Sequence, residues 1–325
     1  MREAGYAFAV FGSSPFALLL AGLLADRHRR RVCVVCRPHS AWRLPQGFDL
    51  STAPLTRPPT WALLKSVTPE SVKLISRIAS KATIERLDPV FVAETPSGRD
   101  VLGHMRHLAL GFGLAAELQP PTGTLPPGSS AIRIRDAVFL NRAVLEPALL
   151  KWLAELGVVR VNALEAAAEF TVLADDTAVL EHGSRLLQPH NRASIAATRG
   201  PALPSPLVTF LDRGLSLYQN ADRAVSAIGR GVVDDVLGQT GGILGGEARR
   251  TGQAAFVGAL TADGAPMLGL SSPDTFTIAG LGVIGAFLAP TIARFLAGEA
   301  SQAEADWIDA HSPLADRSLV AEFAL

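Results

Sequence analysis

Phe276-Thr277-Ile278-Ala279-Gly280-Leu281-Gly282-Val283-Ile284-Gly285-Ala286-Phe287-Leu288-Ala289-Pro290 decides the reading of this chain. The segment opens as a short β-prone run. Glycines then fall at spacings of two and three, and an apolar stretch follows that reads as a helix through Pro290 to Gly298. Glycines at a strand–helix junction let the backbone approach a flat or anionic ligand, because no Cβ stands in the way. The free N–H groups of the helix's first turn then face whatever is bound. The same arrangement also serves a helix packed tightly on a sheet with no ligand, so a second site is needed to choose between the two.

Tyr6-Ala7-Phe8-Ala9-Val10-Phe11-Gly12-Ser13-Ser14-Pro15-Phe16-Ala17 supplies it. A strand buried on both faces reads as a continuous apolar run, as Tyr6 to Phe11 does. Gly12, Ser14 and Ala17 occupy the places of the three glycines of a dinucleotide fingerprint. These make the turn, clear room for a pyrophosphate and allow close helix–strand packing. Ser14 is an imperfect second member and Ala17 an acceptable third. Leu18 to Ala25 continues as helix, Arg27 to Arg31 place positive charge at its end, and Arg31 to Cys36 supply the second strand. Ala7 to Ala25 also has the length of a membrane span or a signal-peptide core. Against both, Gly12-Ser13-Ser14-Pro15 breaks the run and the basic cluster leads straight into another strand.

Composition bounds the remaining possibilities. At 325 residues the chain can bury a large core in two lobes. Thirty basic residues balance thirty acidic ones, which gives no electrostatic case for nucleic acid or an anionic membrane surface. Cys33 and Cys36 are the only cysteines. In a strand their side chains point to opposite faces, which suits neither a disulfide nor a metal pair. Buried thiols fit a reducing cytoplasm. The seven histidines, His104, His107 and His190 among them, show no ligand spacing, so no metal is expected.

Between the glycine sites, Arg37 to Thr60 reads as loop, Trp61 to Ser80 as amphipathic helix, and Pro89 to Ala93 as strand. A further helix runs from Pro96 to about Gly111. Pro120 to Ser130 is a proline-rich loop. Val138 to Asn141 leads into a helix from Arg142 to Leu156, ended by Gly157, and Val158 to Val161 is a strand. Phe170–Ala174, Ala178–Glu181 and Arg185–Gln188 read as alternating, hairpin-like strands. Ser194 to Thr198 reads as a last short strand before the Pro201–Pro206 crossover, and mixed strands and helices run from Leu207 to Gly258.

In this order the landmarks resemble the FAD-dependent oxidoreductases of the D-amino-acid oxidase and glycine/sarcosine oxidase type. The N-terminal unit resembles their ADP-binding βαβ. Ala262-Asp263-Gly264-Ala265-Pro266-Met267-Leu268-Gly269 is similar to their Pro-Asp-Gly-x-Pro-x-x-Gly turn. Gly280 to Gly285 with Leu288-Ala289-Pro290 is similar to their flavin loop, and His311 to Arg317 resembles their C-terminal ending. The resemblance implies an α/β fold with a Rossmann-like FAD lobe and a mixed-sheet substrate lobe. Both glycine turns would serve one ligand, so the FAD lobe would be discontinuous: roughly 1–60, 136–200 and 268–325, with 61–135 and 201–267 as substrate lobe. Noncovalent FAD is implied. Its pyrophosphate would lie against Gly12, Ser13, Ser14, Pro15, Phe16 and Ala17, with Cys36, Arg37 and Ala197 nearby and its ring system against Gly280, Leu281, Gly282, Val283, Ile284 and Gly285.

The departures are specific. Cys36 stands where an acidic residue would hold the ribose, Leu281 stands in place of a loop histidine, and Gly258 aligns with an arginine for the substrate carboxylate. Tyr218, Arg249 and Arg250, with Arg133 and Arg135 as further arginines, are the candidates left to meet a substrate. Two functions follow as expectations: oxidation of a C–N bond in an amine or amino-acid-like substrate, or a partner subunit that keeps the fold without the activity.

Overall fold

The computed structural model describes residues 5–37, 43–121, 123–182, 187–245 and 249–322. Strands β1–β17 and helices α1–α8 are numbered in chain order. One sheet holds β1 (Tyr6–Phe11), β2 (Val32–Val35), β9 (Val159–Val161), β10 (Ala168–Leu173), β16 (Met267–Ser272) and β17 (Thr275–Ala279), in the order β16-β17-β10-β1-β2-β9. All of its pairings are parallel except β16 on β17. The first and last glycine turns therefore follow strands that run the same way in one sheet.

The apolar runs explain this layer. Ala9, Val10, Cys33 and Val34 are fully buried, as expected for strands covered on both faces. Helix α1 (Pro15–Asp26) is capped by the Ser14 side chain, which accepts from Ala17 N–H, and Pro15 starts it where a missing donor costs nothing. Every residue from Pro15 to Leu24 is buried, so the helix is apolar all round and lies inside the protein. It packs against α7 (Gly285–Ala297) and α4 (Arg142–Glu155). Among the described residues no single helix is long and apolar enough to cross a membrane. The basic cluster lies beyond the helix rather than in its last turn: Arg27 is the C-cap and pairs with Glu70 at 2.5 Å.

A second sheet is built from β5 (Val90–Ala93), β6 (Ala116–Gln119), β7 (Ser130–Ile134), β11 (Leu187–Ala197), β12 (Leu207–Phe210), β13 (Leu215–Gln219), β14 (Val225–Arg230) and β15 (Arg250–Thr261). Its order is β15-β11-β14-β13-β12-β5-β7-β6, antiparallel except β5 beside β12. Helix α6 (Val233–Leu244) covers one face, where Val208, Leu217, Ala227 and Val236 form a separate apolar cluster. Helix α3 (Pro96–Gly111) packs on β5 and β7. A small sheet of β3 (Asp49–Leu50), β8 (Ala137–Leu140) and β4 (Ile84–Leu87) completes the strands, and α8 (Gln302–Ala310) packs on α7 and β16.

Phe170 to Ala174, read as a hairpin-like strand, belongs to β10 and pairs parallel with β1 and β17. Three further expectations change. Ala178 to Glu181 is not a strand but part of helix α5 (Asp176–Glu181), because the Asp175 side chain caps Ala178 N–H at 2.9 Å. Residues 187–197, grouped by sequence with the nucleotide lobe, pair with β14 and β15 in the eight-stranded sheet. Helix α2 (Pro58–Ala79), assigned mostly to the substrate lobe, packs on α7 and α4 beside the parallel sheet. Of the piece Arg185–Gln188, residues 185 and 186 lie outside the described residues.

Candidate functional site

In an open parallel sheet, ligands bind beyond the carboxyl ends of the strands where the strand order reverses. Here the chain moves from β1 outward to β2 and β9, then returns to β10 on the other side of β1. The crevice between β1 and β10 is that point. Gly12 follows β1, Asp175 follows β10, Gly280 follows β17 and Cys36 follows β2, so four strand ends converge on it.

Gly12 sits at φ +146°, a region only glycine adopts easily. A Cβ there would meet the Asp175 carboxylate at 2.7 Å and Ala17 Cβ at 3.0 Å. In the second turn Gly280 and Gly282 also have positive φ. A Cβ at Gly282 would meet nothing within 4 Å, so this glycine faces open space. Gly285 begins α7, and a Cβ there would lie 3.5 Å from Phe16 Cβ. The two glycine turns approach one another at that contact.

Two cavities run along the crevice. One of about 200 Å³ is lined by Ser13 to Phe16, Phe48, Asp49, Arg142, Arg192, Ser216, Phe256, Gly258, Ile278 to Val283 and Gly285. The other, of about 540 Å³, lies at the ends of β1, β2 and β9 and is lined by Gly12, Val35, Cys36, Arg37, Asn162 and Glu181. Both share Ser13, Arg43, Gln46, Asp175 and Thr177.

Three aspartates and three arginines line the first cavity. Ser13 N–H and Ser14 N–H donate to Asp175 Oδ2 at 2.8 and 3.4 Å. Burial raises the Asp175 pKa, opposed by its backbone hydrogen bonds and reinforced by the Asp176 charge. Ala259 N–H and Gly280 N–H donate to the two oxygens of Asp176 at 3.1 and 3.2 Å. Asp49 is 2 % exposed and forms a two-point ion pair with Arg142, at 2.5 and 3.2 Å.

Arg192 is different. Its guanidinium carbon lies 5.6 Å from the centre of the Phe256 ring, its Nε has no hydrogen-bond partner, and it joins no ion pair among the described residues. Burial lowers its pKa against the pull of Asp176, and Arg230 and Arg142 lower it further. A half-buried guanidinium whose Nε has no partner and whose nearest opposing charge, Asp176, forms no ion pair with it attracts an anion.

The candidates from sequence separate into three groups. Ser13, Ser14, Pro15, Phe16, Gly280, Leu281, Gly282, Val283 and Gly285 line the first cavity, and Gly12, Cys36 and Arg37 line the second. Ala17 and Ile284 are buried behind the turns. Ala197, Tyr218, Arg249 and Arg250 line neither cavity. Ala197 pairs with Val225 and Arg250 in the eight-stranded sheet. Arg249 and Arg250 are exposed at the start of β15. Tyr218 stacks on Phe139 at 4.7 Å, donates to Glu85 at 3.2 Å, and is pushed up to about 12 by burial and that carboxylate. Arg133 donates to the Pro204 carbonyl, and Arg135 bridges Asp88 and Glu117.

Sequence reading missed Asp175, Asp176 and Arg192. For the aspartates a signal existed: an apolar run to Ala174 followed by Asp-Asp-Thr-Ala is a strand ending in a helix cap. For Arg192 there was none, since it is one arginine in a mixed strand.

No family model matches the chain, and no curated protein matches it by sequence. Solved structures do match in fold. L-proline dehydrogenase from P. horikoshii superposes with a TM-score of 0.71 at 15% identity, covering 95% of this chain and 97% of that one. Glycine oxidase from Geobacillus kaustophilus gives 0.67 at 15%, covering 98% and 99%. L-amino acid deaminase from Proteus myxofaciens, in complex with anthranilate, gives 0.71 at 12%, covering 95% and 93%. The chain has the amino-acid oxidase fold. At such identities the likeness is one of fold, and it agrees with the resemblance read from the glycine turns.

Proposed function

We propose that this protein is an FAD-dependent oxidoreductase acting on a small amine or amino-acid-like substrate that carries an anionic group. The observation that carries the reading is Arg192, whose guanidinium lies over Phe256 with its Nε unpartnered, in the cavity bounded by Gly280 to Val283. A fixed guanidinium is the usual clamp for a carboxylate.

The residues present fit FAD on two counts. Gly12 forms a turn that a Cβ would close, and the Ser13 and Ser14 amides already hold an anion, the Asp175 carboxylate, as a stand-in for phosphate oxygens. Gly12 to Ala17, Cys36 and Arg37 would hold the ADP half noncovalently, and Gly280 to Gly285 the ring system. FAD supplies hydride acceptance from the carbon next to nitrogen. The protein's own part is to anchor the substrate anion at Arg192, to bound the amine with Phe48 and Phe256, and to exclude water with Leu281 and Ile278. Asp49 is paired with Arg142 at the cavity wall, and Asp175 and Asp176 are held by backbone N–H groups, which leaves Arg192 to meet the substrate anion.

A visible spectrum of the protein after incubation with excess FAD and gel filtration tests this directly. Bound oxidised flavin, bleached by a carboxylate-bearing amine and not by its methyl ester, is the expected result. A second reading, a flavin-free subunit serving a partner protein, draws on the pairing of Ser13, Ser14 and Gly280 amides with protein carboxylates. A protein that stays colourless would favour it.

A further inference from the structure

We infer that Asp175 is an internal latch on the glycine turn, a carboxylate that a pyrophosphate-bearing ligand has to displace to enter the crevice. The inference rests on the FAD reading for its ligand, and on the following geometry for its mechanism.

Capping α5 needs only one carboxylate oxygen. Asp175 Oδ1 does that, accepting from Ala178 N–H at 2.9 Å. Its other oxygen takes the Ser13 amide at 2.8 Å and the Ser14 amide at 3.4 Å, on a loop 162 residues away in sequence. These are the donors that a strand–turn–helix of this kind offers to an anion. Asp175 also stands where the two cavities join, since both are lined by it and by Ser13 and Arg43. A ligand long enough to fill both must pass this carboxylate. A pyrophosphate and the Asp175 side chain cannot hold the same amides, because each N–H already donates to Asp175 Oδ2 and has no second hydrogen to offer. Asp176 adds to the closure by holding Gly280 N–H in the other turn. The dipeptide thus ties both glycine turns to the start of α5.

The test uses two variants that retain a helix cap. Asp175→Asn keeps the shape and removes the charge, while Asp175→Ser caps the helix but is too short to reach the loop. Dissociation constants are measured by calorimetry for FAD, ADP, riboflavin and adenosine, with thermal melting of each variant as the folding control. A latch predicts FAD and ADP binding tightened by roughly tenfold or more in both variants, with riboflavin and adenosine, which lack phosphate, unchanged. Equal tightening of riboflavin would mean the side chain only blocks space, and unchanged or weaker FAD and ADP binding in both folded variants would overturn the latch. Tightened ADP binding without any flavin binding would keep the latch and remove the FAD reading. No binding of any of the four by wild type or variant would remove both.

Discussion

Arg192 occupies the space that a side chain at position 258 would need: a Cβ on Gly258 would come within 2.9 Å of both Arg192 Cδ and His190 Cε1. The two positions belong to neighbouring strands, with Arg192 opposite Phe256 and His190 opposite Gly258. The resemblance implied an arginine at position 258. The glycine there leaves room for a guanidinium that arrives from β11 instead of β15.

Gly258→Ala should therefore act through Arg192. The new methyl meets the middle of the arginine side chain, not its mobile end, so the guanidinium has to move. With a carboxylate-bearing substrate, KM should rise roughly tenfold, the scale of one charge-assisted hydrogen bond weakened, while flavin content stays constant. Arg192→Met should raise it further. Steady-state kinetics beside flavin absorbance reads both quantities, and an unchanged KM in Arg192→Met would remove the clamp.

Gly22→Ala should destabilise the fold without touching the crevice. A Cβ at Gly22 would lie 2.1, 2.5 and 2.7 Å from three Trp152 ring atoms, and α1 is buried on the facing surface. Overpacking of this kind costs about 1–3 kcal/mol, occasionally more. Urea unfolding should show the loss, and Trp152→Leu in the same chain should recover part of it. Equal midpoints for Gly22→Ala and wild type would mean that α4 is free to move off α1.

Both glycine turns and the strands leading into them were legible in sequence because apolar strands and Gly-rich junctions have local signatures, whereas Phe170 to Ala174, read as hairpin-like, lies parallel between β1 and β17. Tyr6 to Phe11 and Phe276 to Ala279 needed nothing from elsewhere in the chain. Ala178 to Glu181 was misread because a short apolar run fits either period, and the cap that settles it is a side-chain contact. Arg192 and the Asp175–Ser13 bond were invisible for a different reason. Each depends on pairings between segments more than sixty residues apart, and strand register does not follow from composition.

Gly285→Val should disturb both turns at once. A Cβ at Gly285 would sit 3.3 Å from Leu281 Cβ and 3.5 Å from Phe16 Cβ, and two further methyls would press on Phe16 just after the first turn. Flavin retained after gel filtration should fall sharply, with a smaller loss of thermal stability. Acid precipitation of the wild-type protein should release all flavin to the supernatant, as noncovalent binding requires. Full flavin retention in Gly285→Val would mean that the second turn only packs a helix.

His311 should make stability depend on pH below neutrality. The ring is 2 % exposed at the end of α8, with Nδ1 2.6 Å from the Trp307 carbonyl and the Trp307 ring 4.1 Å away. Burial pushes its pKa down to about 4, the Trp307 carbonyl opposes this, Arg317 adds to it and Asp263 opposes it. An exposed histidine in the unfolded chain titrates near 6.5. Between those values the unfolded state holds a proton that the native state does not, so unfolding is favoured as pH falls. The stability that His311 contributes is complete above about pH 6.5 and is lost progressively toward pH 4, by at most about 1.4 kcal/mol per pH unit. His311→Gln keeps a donor for the Trp307 carbonyl and cannot take up a proton. Urea midpoints at pH 7 and pH 5 should drop more for wild type than for His311→Gln. Equal drops in the two proteins would place the titration on another group.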